Sequence, residues 1–124
     1  MWWIPCADLV CNAFLDALGA HDAPDIIHSD RGSEYLSEKH LKLREACGVS
    51  ASASDPGKPW QNGFMERFFN TFKTELGEEF RYMKNIEELY ERIANWIHYY
   101  NYERIHTVLL MAPAEYARSL AAQP

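Results

Sequence analysis

The chain lacks a basic excess. Twelve Lys and Arg stand against 18 Asp and Glu, a formal net charge of −6. A free-standing nucleic-acid binder carries a basic face, so this balance excludes a protein that grips DNA by bulk charge alone. It leaves room for a catalytic domain whose DNA grip lies elsewhere in a longer protein. No apolar run is long enough to span a bilayer, and no membrane partner is expected. Met1-Trp2-Trp3-Ile4-Pro5 has neither the basic start nor the longer apolar stretch of a signal peptide. Cysteine is scarce. Cys6, Cys11 and Cys47 have no metal-like spacing, and an odd count without a secretory signal reads as reduced thiols in a cytosolic protein. Six Gly and six Pro are too few for disorder, and there is no internal repeat or low-complexity stretch. At 124 residues the chain is a single domain at most.

Aromatic residues are plentiful, at 14%. Large rings dominate burial, so this share implies a packed core or an association surface. Periodicity gives a helix-rich α/β layout. Residues 7, 10, 11, 14, 15 and 18 are apolar at helical spacing, and Pro24 opposes continuation. Asp25–Ser29 reads as a short buried strand. Ser37 caps a helix from about Glu38 to Cys47, with Leu41, Leu43 and Ala46 as its apolar positions, and Gly48 stops it. Val49–Ser54 alternates small residues as a second short strand, and Asp55-Pro56-Gly57-Lys58-Pro59 is a loop. Helices follow at about Gln61–Leu76 and Ile86–Tyr100, and Pro113 opens a last one through Leu120.

Two carboxylates stand in distinctive settings. Asp30 lies in His28-Ser29-Asp30-Arg31-Gly32-Ser33-Glu34-Tyr35, and Glu66 in Lys58-Pro59-Trp60-Gln61-Asn62-Gly63-Phe64-Met65-Glu66. Thirty-five residues separate them. An acid at a strand end and another on a packed helix can project into one cleft and chelate a divalent metal, which serves phosphoryl transfer. Each also has a plainer reading. Asp30 alone is a turn residue and Glu66 alone a solvated helix charge. His28, beside Asp30, suits either general-base chemistry or simple hydrogen-bonded packing. Arg104 and His106 read as phosphate contacts or, better, as a cap near a helix end. Trp96, Tyr99, Tyr100 and Tyr102 can stack on bases, but at helical spacing they read as core or interface.

These blocks resemble insertion-sequence transposases of the IS3 type, within the retroviral-integrase-like (DDE, RNase H-like) superfamily. The Asp30 block is similar to the family's second catalytic block, and Pro56–Glu66 to the block carrying its glutamate. Tyr99–His106 and Met111–Tyr116 are similar to its C-terminal signature. Four ordered blocks run from about Leu9 to Leu120. The resemblance implies a metal-dependent DNA strand-transfer core, with Mg²⁺ or Mn²⁺ in complete relatives and Asp30 and Glu66 as its ligands here. It implies a bacterial cytoplasmic protein. Lys58 and Lys73 would meet the DNA backbone or are ordinary solvated charges, Gln61 and Asn62 would hydrogen-bond a DNA phosphate or orient Glu66, and Gly32 would permit the turn after Asp30 through unusual dihedrals.

The front departs from the family. Its core begins with a three-stranded sheet bearing the first aspartate, and only Met1–Cys6 precedes the first helix here. Asp8 and Asp16 lie inside that helix. The expectation is a truncated integrase catalytic core over residues 1–124, a natural remnant or an excised C-terminal half, inactive alone, binding DNA weakly or not at all, with its ion site either retained at Asp30 and Glu66 or lost. An open strand edge and an uncovered apolar helix face imply a homo-oligomer, dimer or higher, with Trp2 and Trp3 buried between chains. The alternative is a non-catalytic interaction or assembly module acting through oligomerisation.

Overall fold

The computed structural model describes residues 7–124. In chain order its elements are α1 (Ala7–Ala20), β1 (Ile26–Ser29), α2 (Glu38–Ala46), β2 (Ser50–Ala53), α3 (Gly63–Leu76), α4 (Ile86–Tyr102) and α5 (Pro113–Ala121). Single 3-10 turns form at Pro59–Asn62 and Glu79–Tyr82. This is the helix-rich α/β layout that the apolar spacing implies. The chain divides into two compact units, one through Arg67 and the other Phe68–Pro124. Trp2 and Trp3 lie outside the described residues.

In the first unit β1 and β2 form a parallel two-stranded sheet, with Ile26 opposite Ser50 and Ser29 opposite Ala53. A parallel pair needs a crossover, and α2 supplies it. Its ends are set locally. Ser37 Oγ accepts the His40 N–H. At the other end the Gly48 N–H reaches the Glu45 carbonyl and the Val49 N–H the Arg44 carbonyl, the double bond of a Schellman stop. Gly48 sits at φ 71°, which a side chain would resist. The buried face of α2 is not the expected Leu41, Leu43 and Ala46. Leu41 is exposed, and His40 and Arg44 are buried. Their i,i+4 spacing lets Arg44 Nε donate to His40 Nδ1 at 3.2 Å, while the imidazole meets the Phe14 and Tyr35 rings edge-on at 5.9 and 6.0 Å. Ring contacts and mutual pairing make a polar face the inner one. Phe14 and Cys11 are the buried residues of α1, and Leu9 and Ile26 are each 62% exposed. A cavity of about 350 Å³ is lined by Leu9, Val10, Ala13, Phe14, Ile27 and His40 among others.

The second unit is organised around Trp96. The Phe68, Phe72 and Tyr100 rings stand 5.5, 5.0 and 5.3 Å from its ring. Pairs of this kind add about 0.5–1.5 kcal/mol each beyond the area they bury. Trp96 is therefore core, as its spacing implies, whereas Tyr99 and Tyr102 are exposed. Asn85 caps α4 by accepting the Glu88 N–H, and Glu88 reaches back to the Lys84 N–H. Pro113 opens α5.

Candidate metal and nucleic-acid site

Asp30 is the first residue past β1 and is exposed. Its Oδ1 accepts the Gly32 N–H at 2.8 Å, and its carbonyl accepts Ser29 Oγ–H at 2.8 Å. Arg31 Nε donates to the Ser54 carbonyl at 2.9 Å and ties this turn to the end of β2. Gly32 is not at positive φ, so dihedral freedom is not its role. A Cβ there would stand 2.6 Å from Glu34 Oε1, so what Gly32 provides is space beside a side chain. His28 is hydrogen-bonded through both ring nitrogens, Nδ1 with Ser52 Oγ at 2.9 Å and Nε2 with Ser54 Oγ at 3.1 Å. Both nitrogens are thus engaged, and His28, though exposed, is a hydrogen-bonded residue of the strand pair. Burial pushes the Tyr35 phenol up from its ordinary value, and the charges of Asp30 and Glu34 push the same way.

The second acid is approached through a braced loop. Asp55, Pro56, Gly57 and Lys58 make a turn closed by the Lys58 N–H on the Asp55 carbonyl at 3.2 Å. Pro56 presets its first corner, and Gly57 takes φ 71° at the second. Asp55 is the hub, and sequence reasoning passed it over. Its N–H donates to Gln61 Oε1 at 2.7 Å. Its Oδ2 accepts both Gln61 Nε2–H at 3.1 Å and Lys58 Nζ–H at 3.2 Å. Hydrogen bonds from Gln61 and Lys58 hold its carboxyl below the usual carboxylate range, and the Arg31 charge adds to them. An Asp three residues before Lys, opening a Pro-Gly turn, is the sequence signal that marks it.

Helix α3 then starts at Gly63 and carries Glu66, exposed, in its first turn. A carboxylate there meets the positive end of the helix dipole. Asn62 ends the preceding 3-10 turn, half-buried. Lys73 lies further along α3, exposed and within the second unit. The structure thus brings Lys58 and Gln61 together around Asp55, and sets Asp30 and Glu66 at the end of one element and the start of another in the first unit.

Carboxylate oxygens are the donors that hard divalent ions take. Among the described residues no three His, Cys, Asp or Glu side chains group as a metal cage. Mg²⁺ does not demand one, since it is commonly held by one or two carboxylates together with substrate phosphates and water. Asp30 and Glu66 fit such an ion in kind. Cys11, buried, and Cys47, half-buried, are free thiols and are not needed.

A family model described as an integrase core domain matches residues 47–113, more than half of the chain, including the Asp55 loop and Glu66. The chain belongs to the integrase core domain family. The transposase for insertion sequence element IS904 of Lactococcus lactis subsp. lactis is 35% identical over 103 residues, covering 82% of this chain and 41% of that protein. Transposase InsK of insertion sequence element IS150 from Escherichia coli is 34% identical over 102 residues, covering 80% and 35%. The chain therefore spans about two fifths of the length of these insertion-sequence transposases. In fold it is similar to integrase cores. A chain of the simian T-cell lymphotropic virus intasome, solved in complex with PP2A regulatory subunit B56 gamma, matches at TM-score 0.79 and 20% identity, covering 96% of this chain and 42% of that one. The catalytic core domain of BIV integrase matches at TM-score 0.73 and 19% identity, covering 97% and 76%. The architecture is thus the RNase H-like fold of integrase cores, over the part that this chain spans. No helix among the described residues is long and apolar enough to cross a membrane.

Proposed function

We propose that the chain is part of a DNA strand-transfer core, serving DNA integration and transposition, in which Asp30 and Glu66 hold Mg²⁺ or Mn²⁺. The observation that carries this reading is their setting: one acid at the C-terminal end of a parallel strand, the other in the first turn of α3, in a chain of the integrase core family. An ion held there supplies Lewis-acid polarisation of a phosphodiester. The protein's own part is positional. The Gly32 N–H fixes Asp30 Oδ1, and Oδ2 has no hydrogen-bond partner among the described residues. The braced loop sets the entry of α3 and so of Glu66. Lys58, Gln61, Asn62 and Lys73 hold the DNA backbone by charge and hydrogen bonds. With two acids rather than three, the chain turns over only when a further carboxylate is supplied by another segment or chain. Its bacterial relatives support a cytoplasmic setting.

Titration with Mn²⁺, followed by thermal melting, tests the site. A ligand at 100 times its Kd adds about 2.7 kcal/mol to native stability. The stabilisation is expected in wild type and absent in Asp30→Asn and in Glu66→Gln. A wild-type response that survives both substitutions would sink the assignment. For catalysis, robust strand transfer by the purified chain, abolished in Asp30→Asn, would overturn the dependence on a further acid.

A second reading is an assembly module, and a specific observation favours it. β1 pairs only with β2 among the described residues, Ile26 and Leu9 are exposed, and an open apolar cavity is lined by Leu9 and Ile27. Open strand edges and apolar patches of this kind promote self-association. Homo-oligomers in light scattering are expected on either reading, and a well-folded monomer at high concentration would count against them. Absence of any Mn²⁺ response selects the assembly role.

A further inference from the structure

Two of the side chains that the sequence offers to DNA before α3, Lys58 and Gln61, are already engaged. Lys58 Nζ and Gln61 Nε2 both donate to one oxygen, Asp55 Oδ2, at 3.2 and 3.1 Å. A phosphate oxygen is the same kind of acceptor, an anionic oxygen that takes charge-assisted bonds from Lys and hydrogen bonds from amides. We propose that Asp55 is a built-in competitor of the DNA backbone, which sets how tightly this loop binds nucleic acid. The inference rests on the reading of Lys58 and Gln61 as backbone contacts and is independent of the metal.

Three features carry it. The Lys58–Asp55 pair is exposed on both sides, with side chains 47% and 51% accessible, so phosphate can reach it without any unpacking. The frame that presents the donors does not depend on the carboxylate. Its turn is closed by the Lys58 N–H on the Asp55 carbonyl, and the Asp55 N–H bonds Gln61 Oε1. Exchange of carboxylate for phosphate therefore leaves the donors where they are. Finally, Arg31 is held nearby through Nε on the Ser54 carbonyl, and its charge falls on the same acid. The group presents two cations and one anion, a net +1 in place of +2. On a chain of net charge −6, that single carboxylate is a large share of the local field.

The opposite role is also physically coherent. If the carboxylate served mainly to brace the loop, its loss would disorder Lys58 and Gln61 and weaken DNA binding. The two roles differ in sign, so one experiment separates them. Anisotropy of a labelled DNA duplex is measured against salt with the full chain as wild type, Asp55→Asn, Asp55→Glu and Asp55→Asn with Lys58→Ala. Exposed ion pairs have strengths that convert to about two- to fivefold in affinity, and Asp55→Asn is expected to gain that factor. Its plot of log K against log salt should steepen by about 0.9, the release of one more counterion. Asp55→Glu, which keeps the charge, should stay at the wild-type level, and Lys58→Ala should erase the gain. The proposal is overturned by unchanged or weaker binding in Asp55→Asn, by a gain that survives Lys58→Ala, by an equal gain in Asp55→Glu, or by no measurable binding in either wild type or Asp55→Asn. The Mn²⁺ melting shift reads Asp30 and Glu66 separately, so failure there with an intact Asp55→Asn gain rejects the metal site and not this inference.

Discussion

Glu75 is the side chain whose loss the second unit should feel most for its size. It sits near the end of α3, and its two oxygens serve different partners. Oε2 accepts the Trp96 Nε1–H at 3.0 Å, and Oε1 accepts Arg104 Nε–H at 2.7 Å. Trp96 is only 7% exposed, so Glu75→Ala strands an indole N–H where water cannot readily replace the acceptor. That penalty is about 1–3 kcal/mol. The Arg104–Glu75 pair has side chains 28% and 30% accessible, and its loss adds roughly 0.5–1 kcal/mol. The expected total is about 2–3 kcal/mol, which for a chain of this length lowers Tm by about 8–12 °C. Glu75→Gln keeps one carbonyl acceptor and should cost about half as much. Trp96→Phe removes the donor while leaving most of the ring, so in that background Glu75→Ala should cost only the Arg104 share. The coupling in the double-mutant cycle is then about 1–2 kcal/mol. Urea unfolding followed by far-UV circular dichroism measures all four proteins. A Glu75→Ala cost below about 0.5 kcal/mol, or a coupling near zero, would refute the claim that this carboxylate ties α3 to Trp96.

Leu110 holds φ 58° and is 78% exposed, so its side chain gains little from burial while its backbone is strained. Leu110→Gly relieves about 1–2 kcal/mol of strain against roughly 0.5–1 kcal/mol of added chain entropy, a net stabilisation of about 0.5–1 kcal/mol in denaturant unfolding. The Tyr35 phenol titrates higher when folded than its ordinary 10.0, because of burial first and then Asp30 and Glu34. Its contribution is therefore fully present below pH 10 and is lost as pH rises through the folded value. Stability of Tyr35→Phe measured from pH 9 upward should fall less steeply than that of wild type, and parallel curves would contradict this.

The elements were legible because their signals are local. Ser37, Gly48 and Pro113 each act within a few residues of the helix end they set, and the caps form as their spacing implies. The inward face of α2 was not legible. Counting apolar positions selects Leu41, Leu43 and Ala46, but His40 turns inward because the Phe14 and Tyr35 rings meet it and Arg44 donates to it. The Phe14 contact depends on the packing of α1 against α2, which helical spacing does not encode. The 3-10 turn Glu79–Tyr82 has no apolar period to announce it. The site divides in the same way. The placement of Asp30 just past a strand and of Glu66 on a helix was readable from their sequence blocks. The occupation of His28 by Ser52 and Ser54 required the register of β1 on β2, a pairing across more than twenty residues. Asp55 is the opposite case, a local Asp-Pro-Gly-Lys turn whose consequence for Lys58 and Gln61 emerges only from the side-chain geometry.

Exposure of the two acids bears on how the metal assignment can be judged. A buried, paired carboxylate is held in place by the cost of stranding its partner, and replacing it destabilises the fold whatever else it does. Neither Asp30 nor Glu66 is in that position. Glu66 projects from the first turn of α3, where a neutral Gln loses only a favourable dipole contact of about 0.3–1 kcal/mol. Asp30 does hold the Gly32 N–H, but Asn retains a carbonyl oxygen able to accept the same bond. Asp30→Asn and Glu66→Gln should therefore fold with stabilities within about 1 kcal/mol of wild type when no metal is present. Loss of the Mn²⁺ response in such folded variants isolates the carboxylate charge as the cause. Two exposed acids that the fold does not require, placed at a strand end and a helix start, make the role of a ligand a physical alternative to a structural one.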